Sequence, residues 1–237
     1  NADYVRQVIN LTQTTSASYL LMVSLDLARQ NLALHGREFY AKTVEFAEYA
    51  RKEINALGGY YAFGEELCNG RDFFAFDKTK LSVHTRAMGL AGIEVYDLLR
   101  DEYDIQIEFG DIGNILAIIT GGDRALEIER LVSALSEIKR LYGRSPVGLY
   151  DHEYINPNVV LPPQTAFYAE NVPLPIAETA GRIAAEFVMC YPPGIPILAP
   201  GERITKDILD YIAYAKEKGC SLTGCRDMNV ESLMVVK

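Results

Sequence analysis

Basic charge and cysteine are both in short supply, and each shortage narrows what the chain can do. Twenty-three Lys and Arg stand against 32 Asp and Glu, a formal net charge of −9. A nucleic-acid backbone is bound by Lys and Arg clustered on one face, so the balance argues against that partner. The four cysteines are Cys68, Cys190, Cys220 and Cys225, and only the last two are close in sequence. No second pair and no neighbouring histidine completes a zinc set, and His35, His84 and His152 are scattered. No metal site is expected. The thiols read as free and buried in a reducing compartment, which makes the cytoplasm the expected location. No apolar run approaches the roughly 20 residues of a membrane span, and no signal-peptide pattern is present, so no membrane is expected.

Other absences remove whole classes of chemistry. Gly-x-Ser-x-Gly is missing, so no nucleophile elbow can be argued. "ITGGDR" (119–124) follows a strand pattern and opens a helix pattern, but it lacks both Gly-x-Gly-x-x-Gly spacing and the Lys-Ser/Thr of a phosphate loop. It reads as a strand-to-helix turn. Internal repeats and low-complexity segments are also lacking.

What remains is an ordinary globular composition: 237 residues, 49% hydrophobic and 23% charged. A chain of this length buries roughly 70% of its unfolded surface and needs no disulfide or metal to fold. "YLLMVSLDLARQNLA" predicts a buried helix over 18–33, with Ser16 or Ser18 as N-cap. "GREFYAKTVEFAEYARKEINAL" predicts a second, amphipathic helix stopped by Gly58-Gly59. The period then changes. "KLSVHTR" reads as a strand and "GIEVYDLLRDEY" as a helix. "IQIEF" alternates as a strand, "GDIGN" turns, and "ILAIIT" reads as a fully buried strand. The helix after Gly121-Gly122 is expected to take Asp123 as N-cap and Gly143 as its stop. This β-α-β-β-α order implies a small sheet covered by helices. Further on, a helix is expected near "PIAETAGRIAAE", another at "TKDILDYIAYAKEKG" capped by Thr205, a turn at "CSLTGC", and a final strand at "SLMVVK". The fold class is α+β. Expected divisions are 1–57 (helical), 58–145 (the small α+β unit) and 146–237 (a C-terminal α/β extension). An apolar helix such as 18–33 needs more than one long neighbour. Together with an opening at Asn1 that leads straight into a helix pattern, this suggests a piece of a longer protein.

Hydroxyls are concentrated in one place. Thr12, Thr14, Thr15, Ser16 and Ser18 fall within seven positions before the 18–33 helix pattern. Free amides and hydroxyls at a helix start serve either as caps or as an anion site. The residues alone leave both readings open.

Four stretches carry a resemblance: "LTQTTSASYLLMVSLDLAR", "GLAGIEVYDLLRDEYDIQIEFGDIGNILAIIT", "LPPQTAFYA" and "AGRIAAEFVMCYPPGIPILAPGERIT". In order and spacing, from about Asp3 to Lys237, they resemble the bacterial ornithine/lysine/arginine decarboxylases, most of all the shorter arginine-decarboxylase branch. That resemblance implies a pyridoxal-phosphate enzyme of the aspartate-aminotransferase fold type, a basic amino-acid substrate, and a homodimer or higher oligomer with its active site at the subunit interface. It also implies that Thr14, Thr15, Ser16 and Ser18 approach the cofactor phosphate. The family's cofactor lysine stands in a Ser-x-His-Lys context upstream of these hydroxyls. Here the histidines are followed by Gly36, Thr85 and Glu153. The chain therefore matches the end of the large domain, the linking helix, the small domain and the C-terminal extension, without the anchoring lysine. It is expected to be inactive alone and to hold no cofactor covalently.

"MCYPPGIPILAPGE" (189–202) is stiff and apolar. Its prolines argue against a central strand or a helix interior. Within the resemblance it suits the wall of an entrance channel that keeps its shape without a ladder. Glu186 precedes it and Tyr191 and Glu202 lie near its two ends, and a carboxylate there would pair with a guanidinium tail. The alternative is that Glu186 and Glu202 are ordinary capping or surface groups. Two rival readings of the whole chain stand: a free-standing binding or regulatory domain without catalysis, or part of another pyridoxal-phosphate enzyme such as an aminotransferase. Arg86, after a predicted strand, would suit an α-carboxylate clamp in either kind of enzyme.

Overall fold

The computed structural model describes residues 2–14, 16–146, 155–191 and 193–237. It begins with helix α1 (Ala2–Thr12), a short linker, and helix α2 (Tyr19–Leu57). The two helices expected from sequence are one helix of 39 residues. Gly36 lies in its interior, where a glycine costs only about 1 kcal/mol relative to alanine and does not break a helix without help from proline. At 1.5 Å per residue α2 is about 58 Å long.

The predicted buried helix over 18–33 is corrected by the exposures. Neither α1 nor α2 buries any residue before Thr43. Leu20, Leu25 and Leu34 are 83%, 71% and 68% exposed. The last four turns of α2 behave differently. Thr43, Ala47, Ala50, Arg51 and Ile54 are buried at intervals of three and four, forming one stripe. Gly58 ends the helix at φ +68°, a conformation that suits glycine.

That stripe covers an antiparallel sheet of β1 (Tyr61–Ala62), β2 (Lys80–His84), β3 (Phe109–Gly110) and β4 (Asn114–Ile118), in the order β1-β2-β4-β3. Leu81 pairs with Ala117 and Val83 with Ile115, and all four are buried. The alternate residues are more open, so β4 is buried on one face only, not on both as its apolar run suggested. The strand expected at "IQIEF" shrinks to the two residues of β3. Helices α3 (Gly92–Tyr103) and α4 (Ala125–Tyr142) complete this core through Leu99, Leu135 and Ile138. A Cβ on Gly92 would lie 1.9 Å from the Asn114 carbonyl oxygen, so glycine alone lets α3 start against the β3–β4 turn. Asp123 does not cap α4. Its carboxylate accepts from the Thr120 amide at 2.6 Å, and Arg124 is the N-cap. Gly143 does end the helix.

The C-terminal region builds a second core of Val188, Leu198, Ile204, Ile208, Ile212, Leu233 and Val235. Its elements are α5 (Pro163–Tyr168), β5 (Asn171–Pro175), β6 (Val188–Tyr191), β7 (Ile195–Leu198), α6 (Lys206–Glu217), β8 (Ser221–Thr223) and β9 (Ser232–Val236). β5 pairs with β9, and β7-β6-β8 form a separate antiparallel sheet. The helix expected over "PIAETAGRIAAE" is only a 3-10 turn at Ile176–Glu178. Gly181 at φ +82° stops it, and Ile183 and Ala184 form isolated bridges to Arg203 and Val235. "CSLTGC", read as a turn, supplies β8. Thr205 caps α6 as expected, accepting from the Ile208 amide at 3.3 Å. A small seam joins the two cores: Ala91 and Ile93 pack with Cys190, Ala215 and Cys220. Beside it Lys218, with a side chain only 14% exposed, lies 3.9 Å from Glu94.

Candidate functional site

Two regions hold the residues singled out in the sequence, and the fold keeps them apart. The first is the hydroxyl linker between α1 and α2. Ser18 occupies the N-cap position with extended backbone (φ −73°, ψ 120°), yet its side chain caps no amide. The first amide inside the helix that bonds back is that of Met22, to the Ser18 carbonyl at 3.0 Å. The amides of Tyr19, Leu20 and Leu21 are therefore the open donors of the helix start. Thr14 Oγ1 accepts from the Ser16 amide at 3.3 Å, a local turn in the linker just before the Ser18 N-cap. Thr12 faces backwards and donates to the Val8 and Ile9 carbonyls of α1. Thr15 lies outside the described residues. Thr14, Ser16 and Ser18 are all exposed. Hydroxyls beside open amides at the positive end of a 39-residue helix fit an anion such as a phosphate group.

The second region is the proline-rich segment, which forms a β-hairpin. β6 and β7 pair antiparallel, with Gly194 at φ +93° turning the chain and its amide donating to the Cys190 carbonyl at 2.8 Å. β6 is the central strand of its sheet, which corrects the reading of this stretch as one without a ladder. Its prolines do not interfere, because Met189–Tyr191 precede them. Pro196 sits on the edge strand β7, opposite Met189 and next to a bulge. Pro192 lies outside the described residues.

Tyr191 ends β6 and is 56% exposed at the hairpin tip. Glu186 and Glu202 are at the opposite end. Glu186 lies two residues before β6 begins, whereas Tyr191 is its last residue. Glu186 is only 8% exposed, and its two oxygens accept from the Arg226 amide at 2.7 Å and the Met234 amide at 2.8 Å. It fastens the loop before β9 rather than facing an open wall. Glu202 is half-buried, with Oε2 accepting from the Ala199 amide at 2.9 Å. Of the two acids, Glu202 is the more open to an incoming cation.

Two features gave no sequence signal of this kind. One is a cleft of about 300 Å³ where α2 crosses the Gly121-Gly122 turn, lined by His35, Glu38, Lys42, Thr120 and Asp123. A Cβ on Gly121 would strike the Phe39 ring at 1.9 Å, so the glycine permits this crossing. The turn was legible in the sequence, but its neighbour Phe39, more than 80 residues upstream, was not. The other is the packing of Cys190 with Cys220, two buried free thiols of one small cluster. Sequence proximity pointed to Cys220 and Cys225 instead. Among the described residues no group of His, Cys, Asp and Glu is placed to hold a metal ion, and no helix is long and apolar enough to cross a membrane.

Comparison with known proteins gives a consistent picture. Residues 150–227 match the family described as Orn/Lys/Arg decarboxylase, C-terminal domain. The whole chain is 40% identical over 242 aligned residues to an arginine decarboxylase of Halalkalibacterium halodurans, covering 49% of that protein. Against the arginine decarboxylase of Bacillus subtilis the identity is 38%, over 99% of this chain and 49% of the relative. The chain thus spans about half the length of the curated relatives it matches. Among solved structures, the Escherichia coli constitutive lysine decarboxylase superimposes over all of this chain and 46% of its own, with a TM-score of 0.70 at 19% identity. Lysine decarboxylase A of Pseudomonas aeruginosa covers 96% of this chain with a TM-score of 0.67 at 21% identity. At such identities these structures support the fold alone.

Proposed function

Because this chain carries the C-terminal domain of the Orn/Lys/Arg decarboxylase family, we propose that it is the C-terminal half of a pyridoxal-phosphate-dependent basic amino-acid decarboxylase, converting arginine to agmatine. The observation that carries this reading is the 40% identity, along the entire chain, to a protein named arginine decarboxylase. Pyridoxal phosphate, when bound, supplies the electron sink for loss of CO₂.

The proposed contribution of this chain is to bind and to orient. Thr14, Thr15, Ser16 and Ser18, with the open amides of α2, hold the cofactor phosphate. Each hydrogen bond to that charged group is worth about 1.5–3 kcal/mol. In a homodimer or higher oligomer these hydroxyls serve a neighbouring subunit, which accounts for their distance from the hairpin of their own chain. Glu202 pairs with the approaching guanidinium, Tyr191 borders its path at the far end of the hairpin, and Glu186 keeps the hairpin base in register. The lysine that anchors the cofactor belongs to the preceding half, so this chain alone does not turn over. The whole enzyme is placed in the cytoplasm.

The test has two arms. The isolated chain, given pyridoxal phosphate with arginine, lysine or ornithine, is expected to release no CO₂ and to develop no long-wavelength absorption band. Sustained CO₂ release would overturn the reading. In a chain extended upstream to the length of the relatives, arginine is expected to be decarboxylated. There Thr14→Val with Ser16→Ala should raise the half-saturating cofactor concentration roughly tenfold or more. An unchanged value would remove the hydroxyls from the phosphate site.

A further inference from the structure

The two thiols that meet at the seam between the cores belong to no part of the decarboxylase reading. β6 and β8 are paired so that Cys190 lies opposite Leu222 and Tyr191 opposite Ser221. Cys220 immediately precedes β8. Side chains two apart along a strand share a face, so Cys220, Leu222 and Cys190 project to the same side of the sheet. Both cysteines belong to one small buried cluster, and it is this packing that brings the diagonal neighbours together. Both cysteines are buried, at 6% and 7% exposure, and they pack with Ala91, Ile93 and Ala215.

Their interaction sets the two thiols apart. The neighbouring Cys220 side chain holds the Cys190 pKa below an ordinary cysteine's, against opposing effects of burial and the Asp111 carboxylate. Cys220 is raised, first by Cys190 and then by burial. Cys225 is raised chiefly by burial. The pair therefore consists of one thiol disposed to ionise and a second in contact with it, an arrangement suited to attack followed by resolution. Gly219, at φ +82° and with nothing within 4 Å of where a Cβ would stand, gives the Cys220 backbone room to draw in.

We propose that Cys190 and Cys220 form a redox-active dithiol that hydrogen peroxide converts to an internal disulfide. The Cys190 thiolate attacks a peroxide oxygen. The O–O bond breaks, and with one proton taken up, water leaves and Cys190 carries a sulfenic acid. The Cys220 sulfur then attacks the Cys190 sulfur. The S–S bond forms, the S–O bond breaks, and the Cys220 proton leaves with the hydroxyl as a second water. One peroxide is reduced as two thiols are oxidised. Added dithiol reductant reverses the change. The bond ties β6 to the start of β8 directly under Ala91 and Ile93, so oxidation acts on the packing that joins the two cores.

The test uses the full chain with Cys68→Ser and Cys225→Ser, leaving only the pair. Equimolar peroxide followed by non-reducing digestion is expected to yield one cross-linked peptide joining Cys190 to Cys220, two hydrogens lighter and cleaved by dithiothreitol. Adding Cys220→Ser should stop the sequence at a sulfenic acid on Cys190 that dimedone labels. The unaltered chain should give the same cross-linked peptide, which removes dependence on the two serine substitutions. The proposal fails if both thiols remain free at peroxide levels that oxidise Cys68 in the unaltered chain. It also fails if Cys190 proceeds to sulfinic acid without cross-linking.

Discussion

Residues 2–42 and residues 43–142 are similarly apolar in sequence, but they use their apolar residues in opposite ways. From Thr43 onward each apolar stripe has a partner: Ala47, Ala50 and Ile54 meet Leu135 and Ile138 over a sheet. Before Thr43 none of the described residues is buried, although Leu20, Leu21, Met22, Val23 and Leu25 run almost without interruption. A periodic apolar pattern thus establishes that a segment is helical. It does not establish what the segment packs against. Exposed apolar surface of this extent marks a face of interaction, not an ordinary solvent face.

The sharpest way to break this contrast is to truncate one side chain from each half of the same helix. Ile54 is fully buried and Leu20 is 83% exposed. Ile54→Ala is expected to cost about 2–5 kcal/mol, the range for core truncations that leave a cavity. Leu20→Ala should change stability by no more than about 0.5 kcal/mol. Urea unfolding of the isolated chain measures both. Equal losses would mean that the N-terminal part of α2 is covered in solution.

The contrast also explains which features were legible in sequence. Helices α3 and α6 carry their whole signal locally: an apolar stripe and, for α6, Thr205 as a cap. Both appear where expected. β2 and β9 likewise follow from alternation or from a short β-branched run. Errors arose where a distant partner decides. The prolines of 192–200 argued against a ladder, but Pro196 occupies an edge strand where its missing amide harms nothing. β5 contains Pro173 and Pro175 and survives as an edge strand on β9. The segment 175–186 has helical composition, but β9 and Arg203 claim its backbone instead. For the candidate sites, the hydroxyl cluster was visible because it is contiguous. The Cys190–Cys220 contact was not, because it depends on the register of two strands 30 residues apart. Glu186 was noticed for its charge, whereas its two main-chain partners lie 40 and 48 residues away.

A smaller effect separates the C-terminal core from both halves of α2, since there a carboxylate stands in for a packing stripe. Glu186→Gln keeps the shape but offers one acceptor oxygen to two amides, of which that of Met234 is buried and that of Arg226 part-buried. The unsatisfied amide and the amide nitrogen placed against it are expected to cost about 1–3 kcal/mol. The loss should appear as faster hydrogen exchange at Arg226 and Met234 than in the unaltered chain. Unchanged protection at both amides would show that neither depends on the carboxylate.

The smallest expected effect is one of pH, and it lies in the same loop. Asp227 accepts from the Asn229 amide at 3.0 Å, the Ser232 amide at 2.9 Å and the Glu231 amide at 3.1 Å. The Asn229 and Ser232 amides, in that order, hold its carboxyl below the ordinary value of 3.8. A carboxyl whose pKa is lower folded than unfolded stabilises the fold at pH above the unfolded value. That contribution fades as the pH falls from about 4 through the depressed folded value. Asp227→Asn removes the titration while keeping one acceptor oxygen. The difference in urea midpoint between the two chains is therefore expected to be largest near pH 6 and to shrink as the pH drops below 4. The exposed N-terminal arm gives no comparable network of main-chain amides on one carboxylate among the described residues. A constant difference across that range would mean that Asp227 acts through shape and hydrogen-bond count alone, and that the loop before β9 is held without its charge.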